Sequence, residues 1–401
     1  MKYVLNYSPN EIFLDNSIER DIQLFLRPLN LLHYVTLSTK YSIRYNFITS
    51  NSRFVNFISL CSSVVFITTY FIVIFLDEGI FKLDVVLLTL LMVNFCVYAF
   101  SYLLNSYMNV VHCETNVDFI IKIKNIKKCI TSDGFCKKIT IFNWLYVVIT
   151  IVFHFIIVFI HVRITNFELF YGFVVVTLLI NDLNIIYVVR MIKFLRILID
   201  LWASELKTKQ LNIIDDINEE TRQKKYWDLK RKTFVDVIDA SSMYKDLCQI
   251  QISCHIVIIF MQLLNNVQYV ITSNTFTVVI FILLMWTIKN IALLISISFE
   301  CEMLFISLKN TQVLFLKAVA DKKCTRKPPL CSRRPFPLFS YIKKKTFFTA
   351  FERLAYKSLR RGNSYSPLVA CGMLTVDASL PLRFLSVLTT YTAVLLQIPF
   401  S

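Results

Sequence analysis

Five glycines and nine prolines in 401 residues are too few to punctuate a turn-rich β fold, so the chain is expected to be all-α. Acid groups are also scarce: 27 Asp and Glu stand against 43 Lys and Arg, for a net charge of +16. In a soluble protein that excess would suggest nucleic acid. Here the basic residues lie between long apolar runs, where they set orientation and attract anionic inner-leaflet lipid, so membrane lipid rather than nucleic acid is the expected partner. Catalytic signatures are missing as well. His33, His112, His154, His161 and His255 are scattered, and there is no H-E-x-x-H, no paired intramembrane Asp and no G-x-S-x-G, so no enzyme is expected. None of the 11 cysteines falls in the expected outer connections, which excludes a disulfide between those loops. Cys324 and Cys331 in CTRKPPLC lack zinc-finger spacing and read as reduced structural thiols, so no metal or other cofactor is expected. The first 20 residues contain no short apolar h-region, so no cleavable signal peptide is expected and the first span serves as the insertion signal.

What the chain does have is apolar length. It is 56% hydrophobic with a mean hydropathy of +0.58, and seven runs approach the roughly 20 residues that a helix needs to cross a hydrocarbon core. They are Val55 to Leu76, Val85 to Leu104, Ile141 to Ile160, Leu169 to Val189, Ser253 to Thr272, Thr275 to Ser298 and Ala378 to Ile398. With a cytoplasmic N-terminus, 39 of the 43 Lys and Arg lie on the inner side, and the outer connections hold only Lys82 and Arg163. Basic residues resist translocation, so the N-terminus is expected inside and, with an odd number of spans, the C-terminus outside. A G-protein-coupled receptor would need the opposite orientation, and the chain has no outer-loop cysteine pair, D-R-Y or N-P-x-x-Y.

Four regions follow. Residues 1–54 form a cytoplasmic segment in which DIQLFLRPLNLLHYV is short and charged, as suits an interfacial helix. Residues 55–298 carry the first six spans, including the cytoplasmic segment 190–252. Residues 299–377 form a cytoplasmic anchor region with a Pro-rich basic linker, and 378–401 hold the last span and a short outer tail. Spans 4, 5 and 6 are expected to continue as helices into the cytoplasm, where TFVDVIDASSMYKDL has amphipathic spacing. The outer connections are too short to capture a protein, so any external ligand is small. No internal repeat is evident, which counts against an inverted-repeat transporter.

The motif that carries function begins at Pro367: PLVACGMLTVDASLPLRFLSVLTTYTAVLLQIPFS. Thr390 and Tyr391 are followed by five mostly apolar residues and then Gln397, and Ala370, Cys371, Gly372, Thr375, Val376 and Asp377 lead into that span. This resembles the C-terminal signature of insect gustatory receptors, which are related to insect odorant receptors, and RPLNLL (Arg27 to Leu32) resembles their N-terminal region. The resemblance implies a plasma-membrane, ligand-gated, nonselective cation channel that detects small-molecule tastants. It further implies a tetramer, either homomeric or mixed with other gustatory receptors, in which the seventh helix of each subunit lines a central pore. Two departures stand out: Ile398 replaces the terminal Phe, and Thr392 stands where sugar-sensing members typically have Glu, which argues against a sugar ligand.

Tyr391, Val394, Gln397 and Ile398 are spaced i, i+3, i+6 and i+7, near one helix face. In fourfold symmetry that face gives apolar rings with one amide ring, which can close a pore by dewetting and still offer oxygens to a cation. The same stripe also suits packing against neighbouring helices. Asp182, Lys289 and Arg383 are ionisable groups within spans. An Asp182–Lys289 pair fits, with helix packing as its simpler role and gating as the other. The amides Gln262, Asn265, Asn266 and Gln268 suit interhelical hydrogen bonds. For the ligand pocket the resemblance points to the outer halves of spans 1 to 6, with His154, Tyr171, Asn94 and Trp286 as candidates; each also reads as an ordinary core or lipid-facing residue. The alternative function is a secondary transporter for a small organic solute.

Overall fold

The computed structural model describes residues 16–76, 85–130, 135–165, 170–212, 220–272, 278–324, 368–370 and 374–397. Nearly all of them are helical. A first helix α1 (Arg20–Val35) precedes a hairpin of β1 (Ser42–Arg44) and β2 (Phe47–Thr49). There follow α2 (Arg53–Leu76), α3 (Val85–Val111), α4 (Cys113–Lys128), α5 (Phe135–Thr165), α6 (Phe170–Asn212), α7 (Glu220–Thr272) and α8 (Val278–Cys324). The pair β3 (Val369–Ala370) and β4 (Leu374–Thr375) then leads into α9 (Leu380–Gln397). The Pro-rich linker, Ile398 and the expected outer connections lie wholly or partly outside the described residues.

The described residues of each apolar run lie largely within a helix. Among the described residues, four helices contain stretches long and apolar enough to cross a membrane: Arg53–Ile72 in α2, Cys136–Ile160 in α5, Lys225–Ile271 in α7 and Ile280–Ala318 in α8. The α2 stretch is only 11% buried, and Phe54, Phe57, Val64, Val65 and Phe71 stand exposed on it. Such an apolar surface is costly in water and stable in lipid.

Helices α6, α7 and α8 run for 43, 53 and 47 residues. At about 1.5 Å per residue they are roughly twice as long as a ~30 Å hydrocarbon core or more, as the expected extensions require. The extensions hold the main core, where Phe234 of α7 and Phe315 of α8 stack at 4.5 Å beside Trp202 of α6. Two short helices close this end: Phe119 of α4 stacks on Tyr244 at 4.7 Å and Phe25 of α1 on Phe194 at 4.0 Å. The helix expected around DIQLFLRPLNLLHYV is α1, and its Ile22, Phe25, Leu26 and Leu29 face is buried in the protein core. The hairpin beside it turns through Tyr45 (φ 48°) and Asn46 (φ 70°), the two positive φ values that a primed two-residue turn needs.

Candidate functional site

Most ionisable residues in apolar segments are expected to be paired, because an isolated charge in low dielectric is costly. Asp182 of α6 is the centre of such a group. Lys289 Nζ of α8 lies 2.5 Å from Asp182 Oδ2, and His154 Nε2 of α5 lies 3.3 Å from the same oxygen. His154 Nδ1 sits 2.8 Å from the Thr150 carbonyl on its own helix. That oxygen can only accept, so Nδ1 carries a proton. The Lys289 ammonium also lies 4.1 Å from the centre of the Trp286 ring, one turn earlier on α8, close enough for a cation–π attraction. The Trp286 ring meets His154 edge to face at 5.3 Å and Phe153 at 5.7 Å. A small apolar cluster of Ile157, Ile282 and Trp286, separate from the main core, flanks the charges.

A polar layer surrounds this triad. Tyr98 of α3 donates to Gln262 Oε1 of α7 at 3.0 Å, and Asn290 Nδ2 of α8 donates to the same oxygen at 2.6 Å. Asn266 donates to Thr287 Oγ1 at 3.0 Å. These bonds are the interhelical role expected of the span-5 amides, and they tie α3, α7 and α8 together. Several buried polar atoms have no hydrogen-bond partner among the described residues: both ring nitrogens of His255, both amide atoms of Asn265, Asn94 Oδ1, Asn181 Nδ2 and Asn184 Oδ1. Buried polar groups are normally satisfied. Of these unpartnered groups, His255 interacts electrostatically with Asp182 and Lys289, so spare ring nitrogens, an ion pair and an indole stand near one another, a combination with the chemistry to hold a small polar aromatic molecule.

Of the expected ligand residues, His154 and Trp286 come together at the triad. Asn94 is half-buried on α3, one turn from Tyr98. Tyr171 falls in α6, but its side chain lies outside the described residues. Arg383 does not join Asp182 and Lys289; its NH2 group donates to both Asp377 carboxylate oxygens at 2.8 Å. Tyr98, Asn181 and Asn290 were not legible as part of this layer from composition. The visible signal was the NDLN stretch at 181–184, which interrupts an apolar run with three polar residues.

At the other candidate site, the entry to α9 is fixed residue by residue. Val376 is buried and its amide donates to the Leu368 carbonyl at 2.8 Å. Asp377 Oδ1 accepts from the Ser379 amide at 3.0 Å, and Glu302 Oε2 of α8 accepts from the Ala378 amide at 2.6 Å. These carboxylates satisfy amides that a helix start leaves open. The Val376-Asp377 pair of the signature is thus an anchor followed by a cap. Beyond it, α9 touches the rest of the chain along a narrow stripe: Phe384 and Tyr391 meet Phe260 of α7 edge to face at 5.9 and 5.6 Å. Tyr391 is still 52% exposed and Val394 51%, and Thr390 and Gln397 are exposed too.

No protein-family model matches this chain, and no curated protein matches it.

Proposed function

We propose that this chain is a subunit of a chemosensory cation channel of the insect gustatory receptor type, located in the plasma membrane and opened by a small organic tastant other than a sugar. Seven helices cross the bilayer from a cytoplasmic N-terminus, and four copies place α9 around a central pore. The observation that carries this reading is the state of α9. It bears the Thr-Tyr…Gln spacing, its start is pinned by Asp377 and Glu302, and Tyr391, Val394 and Gln397 are left uncovered by the single chain. An apolar helix that its own subunit leaves mostly bare is suited to face partner copies and an ion path. The triad of Asp182, Lys289 and His154, with Trp286, supplies the ligand site.

Whole-cell recording with a tastant panel tests the pore. Gln397→Ala and Val394→Ala should change ion selectivity or gating with normal surface expression; unchanged currents in both would remove α9 from the pore. A second reading, a solute transporter, is favoured by the triad, because buried Asp, His and Lys groups also form proton relays. Ligand-evoked currents far above a transport cycle's capacity would exclude it.

A further inference from the structure

The first helix and the hairpin beside it enclose an open groove of about 860 Å3 that ends at Val55, at the start of α2. One wall is a stripe of α1: Arg20, Leu24, Arg27, Leu31 and Tyr34, spaced by four, three, four and three residues so that they share a face. That face cannot roll inward, because the opposite side of α1 carries the fully buried Ile22, Phe25 and Leu26. The other wall is the hairpin. Its register pairs Ser42 with Thr49 and Ile43 with Ile48, and Ile48 is fully buried. From the hairpin, Ser42, Ile43, Arg44 and Thr49 line the groove.

Arg20, Arg27 and Arg44 are all exposed, and none forms an ion pair with a carboxylate among the described residues. The acids at the start of α1 are already engaged: Glu19, just before the helix, and Asp21 pair with Lys127 of α4 at 2.8 and 3.2 Å. Three guanidinium groups without a carboxylate partner among the described residues stand around one groove, an arrangement that charge repulsion alone would oppose. At the membrane end, Tyr34 and Val35 of α1 and Phe54 and Phe57 of α2 are strongly exposed apolar groups.

We propose that this groove binds the headgroup of an anionic glycerophospholipid from the leaflet at which α2 begins. The phosphate oxygens are held by Arg20, Arg27 and Arg44, since guanidinium forks match phosphate in a bidentate manner. The Ser42 and Thr49 hydroxyls meet glycerol or inositol oxygens, and the acyl chains run along Phe54 and Phe57. The volume falls within the range of small-ligand sites. The assignment rests on the membrane placement of α2 and not on channel activity, so it stands or falls apart from the proposed function.

The test uses the full chain, purified in detergent and titrated with phosphatidylinositol 4-phosphate, phosphatidylserine or phosphatidylcholine, with bound lipid counted by native mass spectrometry. Wild type should retain the two anionic lipids about tenfold or more over phosphatidylcholine. The triple variant Arg20→Gln, Arg27→Gln, Arg44→Gln should lose that preference, while Lys207→Gln, Lys232→Gln, Lys317→Gln keeps it. If the triple variant fails to fold, the single charge reversal Arg27→Glu supplies the comparison. Equal retention of all three lipids by wild type, or an unchanged preference in the arginine variants, overturns the proposal. Free inositol 1,4-bisphosphate is the last arm. Weak competition supports a lipid occupant, and competition equal to that of the lipid would make this a soluble-phosphate site instead.

Discussion

Lys40 is the least conspicuous residue with a large electrostatic consequence. It sits in a polar stretch, yet it is 4% exposed. Its Nζ donates to Asn109 Oδ1 of α3 at 2.8 Å and lies 5.0 Å from the Tyr187 ring. Burial lowers its pKa from 10.5 to about 7, with the thiol of Cys248 opposing the change. Between those two values the unfolded chain binds the proton and the folded chain does not, so stability should rise with pH from about 7 towards 10.5. Replacing Lys40 with Met should flatten that rise. Thermal unfolding in detergent across the window measures it, and parallel curves for wild type and Lys40→Met would refute the assignment. Nothing in the sequence announced this burial, because it depends on α3 and α6 closing over a loop remote in the chain. Asp182 and Lys289 were legible, since charged residues stand out in apolar runs. The nearness of His154 was not, because local pattern does not say which spans are neighbours.

Among elements, the triad acts as a clasp holding α5, α6 and α8 at one level. Breaking a buried pair by removing one partner strands a charge, at a cost of about 3–5 kcal/mol, whereas replacing both with apolar groups is often neutral. Asp182→Leu alone should therefore lower the unfolding midpoint strongly, and the double change Asp182→Leu, Lys289→Met should recover most of the loss. Ligand responses should disappear in both. A double-mutant cycle on unfolding checks the first claim, and additive losses would mean that the two side chains act independently. Existence and type of the helices were plain from apolar length. Their continuity was only partly so: the α6 and α7 extensions carry many charges, and what makes them a core is the aromatic layer of Trp202, Phe234 and Phe315, drawn from three separate helices.

For the whole molecule, exposed apolar groups among the described residues concentrate on α2, α3, α5 and α8, while Trp202, Tyr244 and their neighbours form a buried core at the far end of the bundle. This division separates a part whose surface suits lipid from a part packed like a soluble protein. Cys61, exposed on α2 in the middle of a candidate span, reports on it. In intact membranes neither a charged nor an uncharged maleimide should label Cys61 appreciably until SDS unfolds the chain, because a thiol facing hydrocarbon does not ionise. Rapid labelling before unfolding would place α2 in water. The helical character of the apolar runs was readable from residue spacing alone. The surface left bare on α9 was not, since exposure is a property of the assembled chain.

Helix α8 contains neither glycine nor proline between Val278 and Cys324. Lys289 grips Asp182 at one level, and Glu302, thirteen residues later and so about 20 Å along the axis, holds the amide at the threshold of α9. No joint interrupts the stretch between them. An unbroken helix of this kind ties the level of the ion pair to the start of α9 on a single element.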